Sequence, residues 1–144
     1  MGQYVISSDT RHVDRDLVWR FLHDEAYWSL GVPRDVVERA IDRSICFSAF
    51  DGDPGGGAPQ VAFARVVTDQ ATFAYLCDVF VLAEHRGHGI GKQLMDTVMS
   101  HPDLQGLRTI MLATRDAHGL YVRYGFLPLA EPARWMAIRR PYRP

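Results

Sequence analysis

The sequence predicts a mixed α/β fold built on one sheet, and three observations support this. Short runs rich in β-branched and aromatic residues alternate with stretches whose apolar residues recur at helical spacing. Glycine and proline separate these stretches, as expected of turns. The length of 144 residues and the 47% hydrophobic content are typical of one globular unit. We therefore expect residues 1–144 to form a single domain.

The first half of the chain predicts a strand, two helices and a β-hairpin. A strand is expected at residues 3–7, followed by a helix that residues 8–10 can cap. A second amphipathic helix should follow Pro33, because the first turn of a helix tolerates proline. Strands are then expected at 45–50 and 60–68, joined by the exposed loop DGDPGGGAP.

The second half predicts strands that alternate with helices. A strand at 72–82 leads into an amphipathic helix at 89–100, which the dipeptide His-Pro ends. A buried strand at 107–113, a short helix at 119–124 and a last strand at 135–139 should follow. The predicted order is β-α-α-β-β-β-α-β-α-β, which is an α+β arrangement with a mixed sheet.

Composition and charge argue against several classes of function. The formal charge of −1 gives no positive field to attract nucleic acid. No apolar run approaches the roughly 20 residues that span a bilayer, and the N-terminus lacks a leader pattern. Cys46 and Cys77 stand far apart with no histidine at ligand spacing. We expect a cytoplasmic protein that binds no metal, nucleic acid or membrane.

Glycines are concentrated where the fourth predicted strand passes into a helix. Gly87, Gly89 and Gly91 alternate there, so backbone N–H groups can converge on one point. A helix N-terminus carries about half a positive elementary charge and unpaired N–H donors. The segment therefore predicts a site for a diphosphate, although a glycine-rich turn without a ligand would give the same letters.

Two familiar nucleotide-binding loops fit this segment poorly. A Walker A loop would need glycine where Arg86 stands and a hydroxyl where Gln93 stands. The spacing G-x-G-x-G also differs from the dinucleotide fingerprint G-x-G-x-x-G, and the segment does not open a βαβ unit. A nucleotide-phosphate protein remains open only as a minor alternative.

Two motifs resemble the GNAT acetyltransferases, the GCN5-related N-acetyltransferase superfamily. One is R-x-x-G-x-G, formed by Arg86, Gly89 and Gly91, and the other is AHGLYVRYGF at 117–126. The resemblance covers about residues 60–130. It implies the GNAT-like acyl-CoA N-acyltransferase fold and direct transfer of an acetyl group from acetyl-CoA to a primary amine of a small molecule or peptide.

The resemblance also implies the catalytic residues. Tyr121 stands where the family places the general acid that protonates the CoA sulfur, and its free pKa of about 10 keeps it protonated at neutral pH. Tyr124 lies one helical turn further on and is the competing candidate. Asp78 is the candidate general base, although a structural role for it and an amine that arrives deprotonated both stay open.

Acetyl-CoA should be held largely by backbone groups. In this family the fourth strand splays from the fifth, so that its backbone pairs with the pantetheine arm and an N–H polarises the acetyl carbonyl. His118 stands where many relatives carry asparagine, and Asp116 is an alternative to it. The implied cofactor-binding residues are Val79, Phe80, Val81, Arg86, Gly87, His88, Gly89, Ile90, Gly91, Lys92, His118 and Tyr124.

The acceptor amine should lie across the splay, beneath the first two helices. Glu25 there can attract a cationic amine, and Tyr27 with Trp28 can form an aromatic wall. An aromatic core with exposed acids at a helix end would also explain these residues. A non-catalytic acyl-CoA sensor or interaction domain of the same fold stays open as the alternative function. A homodimer through an apolar patch at Trp135 and Met136 is a further expectation.

Overall fold

A computed structural model describes residues 3–142 of the chain and contains one five-stranded sheet with helices on both faces. The strands are β1 Tyr4–Ser7, β2 Ile45–Asp51, β3 Gln60–Thr68, β4 Phe73–Val81 and β5 Thr109–Leu112. The helices are α1 Arg15–Asp24, α2 Arg34–Asp42, α3 Ile90–Ser100 and α4 His118–Val122. The predicted fold class is therefore confirmed.

The strands lie in the sheet in the same order as in the chain. Each neighbouring pair from β1 to β4 is antiparallel, whereas β4 and β5 are parallel. A parallel pair needs a connection that returns across the sheet, and α3 provides it. The parallel pair is short, because only Phe73–Leu76 of β4 pairs with Thr109–Leu112.

Two apolar cores lie on opposite faces of the sheet. On one face Ile90, Leu94 and Met95 of α3 pack against the strands and Tyr121. On the other face α1 and α2 cover a second core, in which the rings of Phe21 and Phe80 stack with their centroids 4.0 Å apart. Each helix buries the apolar face that its periodicity predicts.

The predicted sixth strand at 135–139 is wrong. The structure has no strand there, and Met136 and Ile138 are 95% and 81% exposed. The apolar letters favoured a strand, but a strand forms only where its backbone meets a free sheet edge. A 3-10 turn at Pro132–Arg134 precedes this segment, and Arg139 lies beside the sheet face near Tyr75 rather than at the β5 edge.

The cap of the first helix also differs from the prediction. Asp9 caps only a short 3-10 turn, Thr10–His12. Asp14 caps α1 itself, because its carboxylate accepts a hydrogen bond from the Leu17 N–H at 3.1 Å. The remaining boundaries differ by only a few residues, as is usual where helix and strand ends fray. Within residues 3–142, no helix has the length and apolar character needed to cross a bilayer.

Candidate active site

A gap between β4 and β5 forms the largest feature of the site. The two strands pair only as far as Leu76 and Leu112, so Cys77–Val81 has no strand partner on that side. The gap opens into a cavity of about 610 Å³. This volume lies within the roughly 300–1,000 Å³ typical of small-molecule sites. We call it the larger cavity; Val79–Val81, Arg115 and Tyr121 are among the residues that line it.

A β-bulge at Asp78 produces this gap. Arg65 pairs with Cys77 and Phe63 pairs with Phe80, so two steps along β3 match three along β4. Asp78 has φ of 53°, a left-handed conformation that aspartate tolerates better than most residues. The extra residue bends β4 away from β5 and reverses which face the following side chains occupy.

The glycine-rich turn closes one end of the larger cavity. Gly87 and Gly89 have φ of 82° and 78°, which glycine adopts without strain, and α3 begins directly afterwards at Ile90. Among the described residues, the N–H groups of Gly89, Ile90 and Gly91 have no hydrogen-bond acceptor. These donors, together with the helix dipole, form a seat for an anion.

Two side chains fix the shape of the turn. The Arg86 Nε–H donates to the Val81 carbonyl at 2.9 Å, and the His88 ring contacts the His85 carbonyl at 3.1 Å. Arg86 and Gly91 line the larger cavity directly. The other predicted phosphate-binding positions, Gly87, His88, Gly89, Ile90 and Lys92, belong to the same turn and the start of α3.

Tyr121 lies in the wall of the larger cavity. Its side chain is 7% exposed, and its hydroxyl has no hydrogen-bond partner among residues 3–142. Burial raises the pKa of Tyr121 above its ordinary value, so the phenol remains protonated at neutral pH. A protonated hydroxyl without a partner is able to donate to a group that enters the cavity.

Tyr124 and His118 have different surroundings. The Tyr124 hydroxyl donates to Asp96 at 2.7 Å, and burial together with this bond raises the pKa of Tyr124 to about 12. The hydroxyl therefore braces α4 against α3. His118 lines a separate groove along the outer edge of β5, not the larger cavity. The predicted roles of both residues in acetyl-CoA binding stay predictions.

The predicted acceptor-binding residues lie together across the gap. Glu25, Tyr27 and Trp28 line the larger cavity on the side of α1. The Arg115 guanidinium lies 3.8 Å from the centre of the Tyr27 ring, which is a cation–π contact. This contact joins the loop after α1 to the loop after β5, so two separate chain segments close the cavity at that side.

Asp78 holds a side-chain network at the edge of the gap. Its carboxylate accepts one hydrogen bond from the Trp28 Nε1–H at 2.9 Å and another from the Arg65 Nε–H at 2.8 Å. Arg65 also donates to the Ser44 hydroxyl at 3.1 Å. The Arg65 and Asp78 side chains are only 19% and 12% exposed, so this ion pair is largely shielded from water.

A smaller cavity of about 220 Å³ adjoins the larger one. Trp28, Cys77 and Asp78 line both cavities and therefore form the wall between them. One side of the smaller cavity is apolar and comes from α1, α2 and the loop that joins them. The other side is polar, and its residues are Arg65, Tyr75, Arg139 and Tyr142.

The sequence interpretation missed these polar residues. The pairing of Arg65 with Asp78 could have been predicted from the sequence. A charged residue inside an apolar strand needs a partner, and consecutive antiparallel strands bring these two residues close. Arg139 and Tyr142 could not have been predicted in this way, because a terminal arginine is ordinarily solvated and nothing in the letters shows that the tail returns to the sheet.

The two cysteines lie in surroundings that keep their thiols protonated. Burial raises the pKa of Cys46 to about 11 and that of Cys77 to about 12, so both thiols are protonated at neutral pH. Residues 3–142 contain no group of three or more histidine, cysteine, aspartate or glutamate side chains placed to hold a metal ion.

Comparison with known proteins relates this architecture to one family. Residues 42–128 match the family model described as an acetyltransferase (GNAT) domain. A curated protein of Gibberella zeae, named as a candidate acetyltransferase, is 32% identical over 137 residues, which cover 83% of this chain and 76% of that protein.

Solved structures give the same relation. A crystal structure of a candidate GNAT acetyltransferase from Xanthomonas campestris is 52% identical, with a TM-score of 0.91 and coverage of 99% of this chain and 97% of that chain. A structure from Clostridium acetobutylicum, described as an acetyltransferase with acetyl-CoA, is 16% identical with a TM-score of 0.67, and covers 96% of each chain. The second likeness bears on the fold alone.

Proposed function

The chain belongs to the GNAT acetyltransferase family, and from that premise we propose that it transfers an acetyl group from acetyl-CoA directly to a primary amine of a small molecule or peptide. The observation that carries the proposal is one continuous cavity. It joins the anion seat of the glycine-rich turn, the unpaired edge of β4 and the hydroxyl of Tyr121.

The residues present fit acetyl-CoA. The left-handed backbone at Gly87 and Gly89 turns successive N–H groups toward a single point, and a side chain at either residue would strain that conformation. The open edge of β4 beyond Leu76 offers backbone N–H and C=O groups with which an extended pantetheine arm could pair. The Clostridium acetobutylicum structure of the same fold is described with acetyl-CoA, which supports this choice.

Backbone groups would hold acetyl-CoA for the most part. The N–H groups between Gly87 and Lys92 would bind the pyrophosphate at the start of α3, and Val79–Val81 would pair with the pantetheine arm. When bound, acetyl-CoA supplies an acetyl thioester, whose carbonyl carbon accepts the amine and whose sulfur leaves as a thiolate. A preorganised N–H near the bulge would stabilise the developing oxyanion.

Tyr121 would give the leaving sulfur its proton, and the proton that the amine nitrogen loses would return to the phenolate through water. Burial keeps the phenol protonated, and its hydroxyl has no competing partner among the described residues. Proton donation of this kind contributes about 10² to 10⁴ in rate. A domain that only sensed acyl-CoA would need no such donor, so the effect of removing the hydroxyl separates an enzyme from a sensor.

Asp78 would have a structural role in the acceptor site. Both of its carboxylate oxygens already accept hydrogen bonds, from Trp28 and Arg65, so the side chain is held in one place by two neighbours. It would hold the wall past which the amine reaches the larger cavity. The prediction that Asp78 is the general base stays testable through the pH dependence of the reaction.

Calorimetric titration with acetyl-CoA tests the proposal directly. We expect binding by the wild type, and a loss of at least about 100-fold in Gly89→Glu, because a carboxylate at the seat opposes the diphosphate. Gly57→Glu is the matched control, since Gly57 also has a positive φ of 85° and an added Cβ meets no atom within 4 Å at either glycine. Gly57 lies in the hairpin loop, far from the turn in sequence.

The outcomes of that titration are distinct. Unchanged affinity in Gly57→Glu with loss in Gly89→Glu supports the seat and justifies a screen of amines by release of free CoA thiol. No binding by the wild type at millimolar acetyl-CoA, or equal loss in both variants, would contradict the proposal.

A further inference from the structure

The smaller cavity has two chemically different sides. Its apolar side includes Leu22, Val32, Val37 and Ile41, all of them buried residues of the α1–α2 core. Its polar side comes from the sheet and from the C-terminal segment. A ligand that fills this cavity must therefore present an apolar group to the helices and a polar group to the sheet.

The polar side carries an excess of positive charge. Arg65 and Arg139 face the cavity with one carboxylate, Asp78, which is already paired with Arg65. The lining therefore has two positive charges and one negative charge, a net charge of +1. Within residues 3–142 the Arg139 guanidinium makes no ion pair, so its charge is free to pair with an anion.

Two phenol hydroxyls line the same cavity as this charge. The hydroxyls of Tyr75 and Tyr142 have no hydrogen-bond partner among the described side chains. Burial raises the pKa of Tyr75, so its hydroxyl stays protonated and able to donate. A guanidinium with two phenol hydroxyls is a donor set suited to the oxygens of a carboxylate.

We infer that the acceptor is a small amine that carries a carboxylate and an apolar side chain, as an apolar α-amino acid does. This inference rests on the proposed acetyl transfer for the role of the amine. The carboxylate pairs with Arg139 and the two hydroxyls, and the apolar group packs on α1 and α2. The amine points to Trp28 and Asp78, which line both cavities.

The same features disfavour other amines. A polyamine would bring further positive charge to a lining that already carries net positive charge. A cavity of about 220 Å³ holds a molecule the size of an amino acid, not a folded protein segment around a lysine. An amine with a phosphate would match the charge but would leave the apolar side without a partner.

Matched acceptors and matched variants test the inference. We would measure kcat/KM for leucine, methionine and phenylalanine, for their amides, and for phosphoethanolamine. We expect at least one amino acid to exceed its amide by about tenfold, the effect of one charge-assisted hydrogen-bond set. Arg139→Gln should remove this preference by raising KM, with little change in kcat. Arg140→Gln is the control, because Arg140 is also exposed and does not line the cavity.

A binding measurement keeps this test independent of acetyl transfer. Leucine and leucinamide are titrated by protein NMR without acetyl-CoA, in the wild type and both variants. Tighter binding of leucine that depends on Arg139 supports the inference, even where the calorimetric test with acetyl-CoA has failed. Amides or phosphoethanolamine that match or exceed the amino acids, or Arg139→Gln that behaves as Arg140→Gln, would overturn it while leaving acetyl transfer to other amines intact.

Discussion

The larger and the smaller cavity are built in opposite ways. The larger cavity is lined by three continuous segments: the end of α1 and the loop after it, the end of β4 with the glycine-rich turn, and the end of β5 with α4. On the side of β4 and the turn it offers mainly backbone groups. The smaller cavity gathers side chains from distant positions, from α1 through β3 and β4 to the C-terminal segment, and it offers a particular pattern of charge and apolar surface.

Under the proposed function, this difference would make the cofactor site general and the acceptor site selective. Backbone N–H and C=O groups are the same in every residue, so a cofactor bound by them depends on backbone shape, which glycine and the bulge provide. Selection among acceptors would depend on the side chains present, because a charge or hydroxyl that a ligand covers without pairing disfavours that ligand. The wall of Trp28 and Asp78 belongs to both systems.

Tyr121→Phe should show the largest effect and should leave both kinds of binding intact. Loss of the hydroxyl removes the proton for the leaving thiolate, so kcat should fall about 100-fold or more. The affinity for acetyl-CoA and the KM for the acceptor should change little, since the ring still packs against Phe126. Steady-state kinetics with calorimetry measure all three quantities.

The pH dependence of the wild-type reaction adds a second test of the role of Tyr121. In the wild type, activity should persist to high pH, because the raised pKa keeps Tyr121 protonated there. A variant with wild-type kcat would rule out Tyr121 as the proton donor. The reaction would then need no acid beyond water.

The elements of the fold were accessible from the sequence because each has a local cause. Helix periodicity, proline at a helix start and β-branched runs act over a few residues, and they predicted both the α1–α2 pair and the five strands of the sheet. The prediction of a strand at 135–139 was wrong for the opposite reason. The apolar letters of that segment are strand-like, but pairing depends on where the chain goes after Pro132–Arg134, which no local pattern specifies.

The same limit applies to the site. Tyr121 and the glycine turn were found because they lie in compact motifs, and the structure shows Tyr121 in the cavity wall and Tyr124 bound to Asp96. The predicted group of Glu25, Tyr27 and Trp28 does face the cavity. The position of Arg139 near Tyr75 could not be predicted from the sequence, because the two residues are more than sixty positions apart and only the tertiary structure brings them to one cavity.

Asp78→Asn should break the wall between the cavities. Asparagine tolerates a positive φ as aspartate does, so the variant removes charge without straining the bulge. Arg65 then loses its partner in a largely shielded place, and the free energy of unfolding should fall by about 2 to 3 kcal/mol. The acceptor KM should rise about tenfold while acetyl-CoA affinity is retained.

An exposed carboxylate provides the control for Asp78→Asn. Asp16 also contacts two arginines, Arg20 and Arg34, but on the surface, so Asp16→Asn should cost less than about 1 kcal/mol. Urea denaturation and kinetics from pH 5 to 9 compare the variants. Equal stability losses would show that shielding of the pair does not matter, and loss of the acidic limb of kcat in Asp78→Asn would instead identify Asp78 as the general base.

Tyr124→Phe should have the smallest effect. It tests whether the Tyr124 hydroxyl is structural, in contrast to the Tyr121 hydroxyl, which is the proposed proton donor. The Tyr124 hydroxyl donates to Asp96 and to the Lys92 carbonyl, so its loss should lower Tm by roughly 2–4 °C at pH 7. The affinity for acetyl-CoA should stay within about twofold, because this hydroxyl is engaged with α3. Tyr27→Phe, whose hydroxyl has no partner among residues 3–142, should leave Tm unchanged.

The pH dependence of that Tm difference has a defined sign. Burial and the bond to Asp96 raise the pKa of folded Tyr124 to about 12, against roughly 10 for an unfolded tyrosine. The stabilisation is therefore complete from about pH 5 to pH 10 and is lost as pH rises toward 12; at acidic pH it is lost as Asp96 protonates, because the bond lowers the pKa of Asp96. The Tm difference between wild type and Tyr124→Phe should therefore decrease over the alkaline range. Ionisation of the other tyrosines does not affect this difference, because both proteins contain them. A Tm difference that stays constant between pH 10 and 12 would show that the Tyr124–Asp96 hydrogen bond does not stabilise the protein. A tenfold weaker affinity of Tyr124→Phe for acetyl-CoA would instead identify Tyr124 as a cofactor-binding residue.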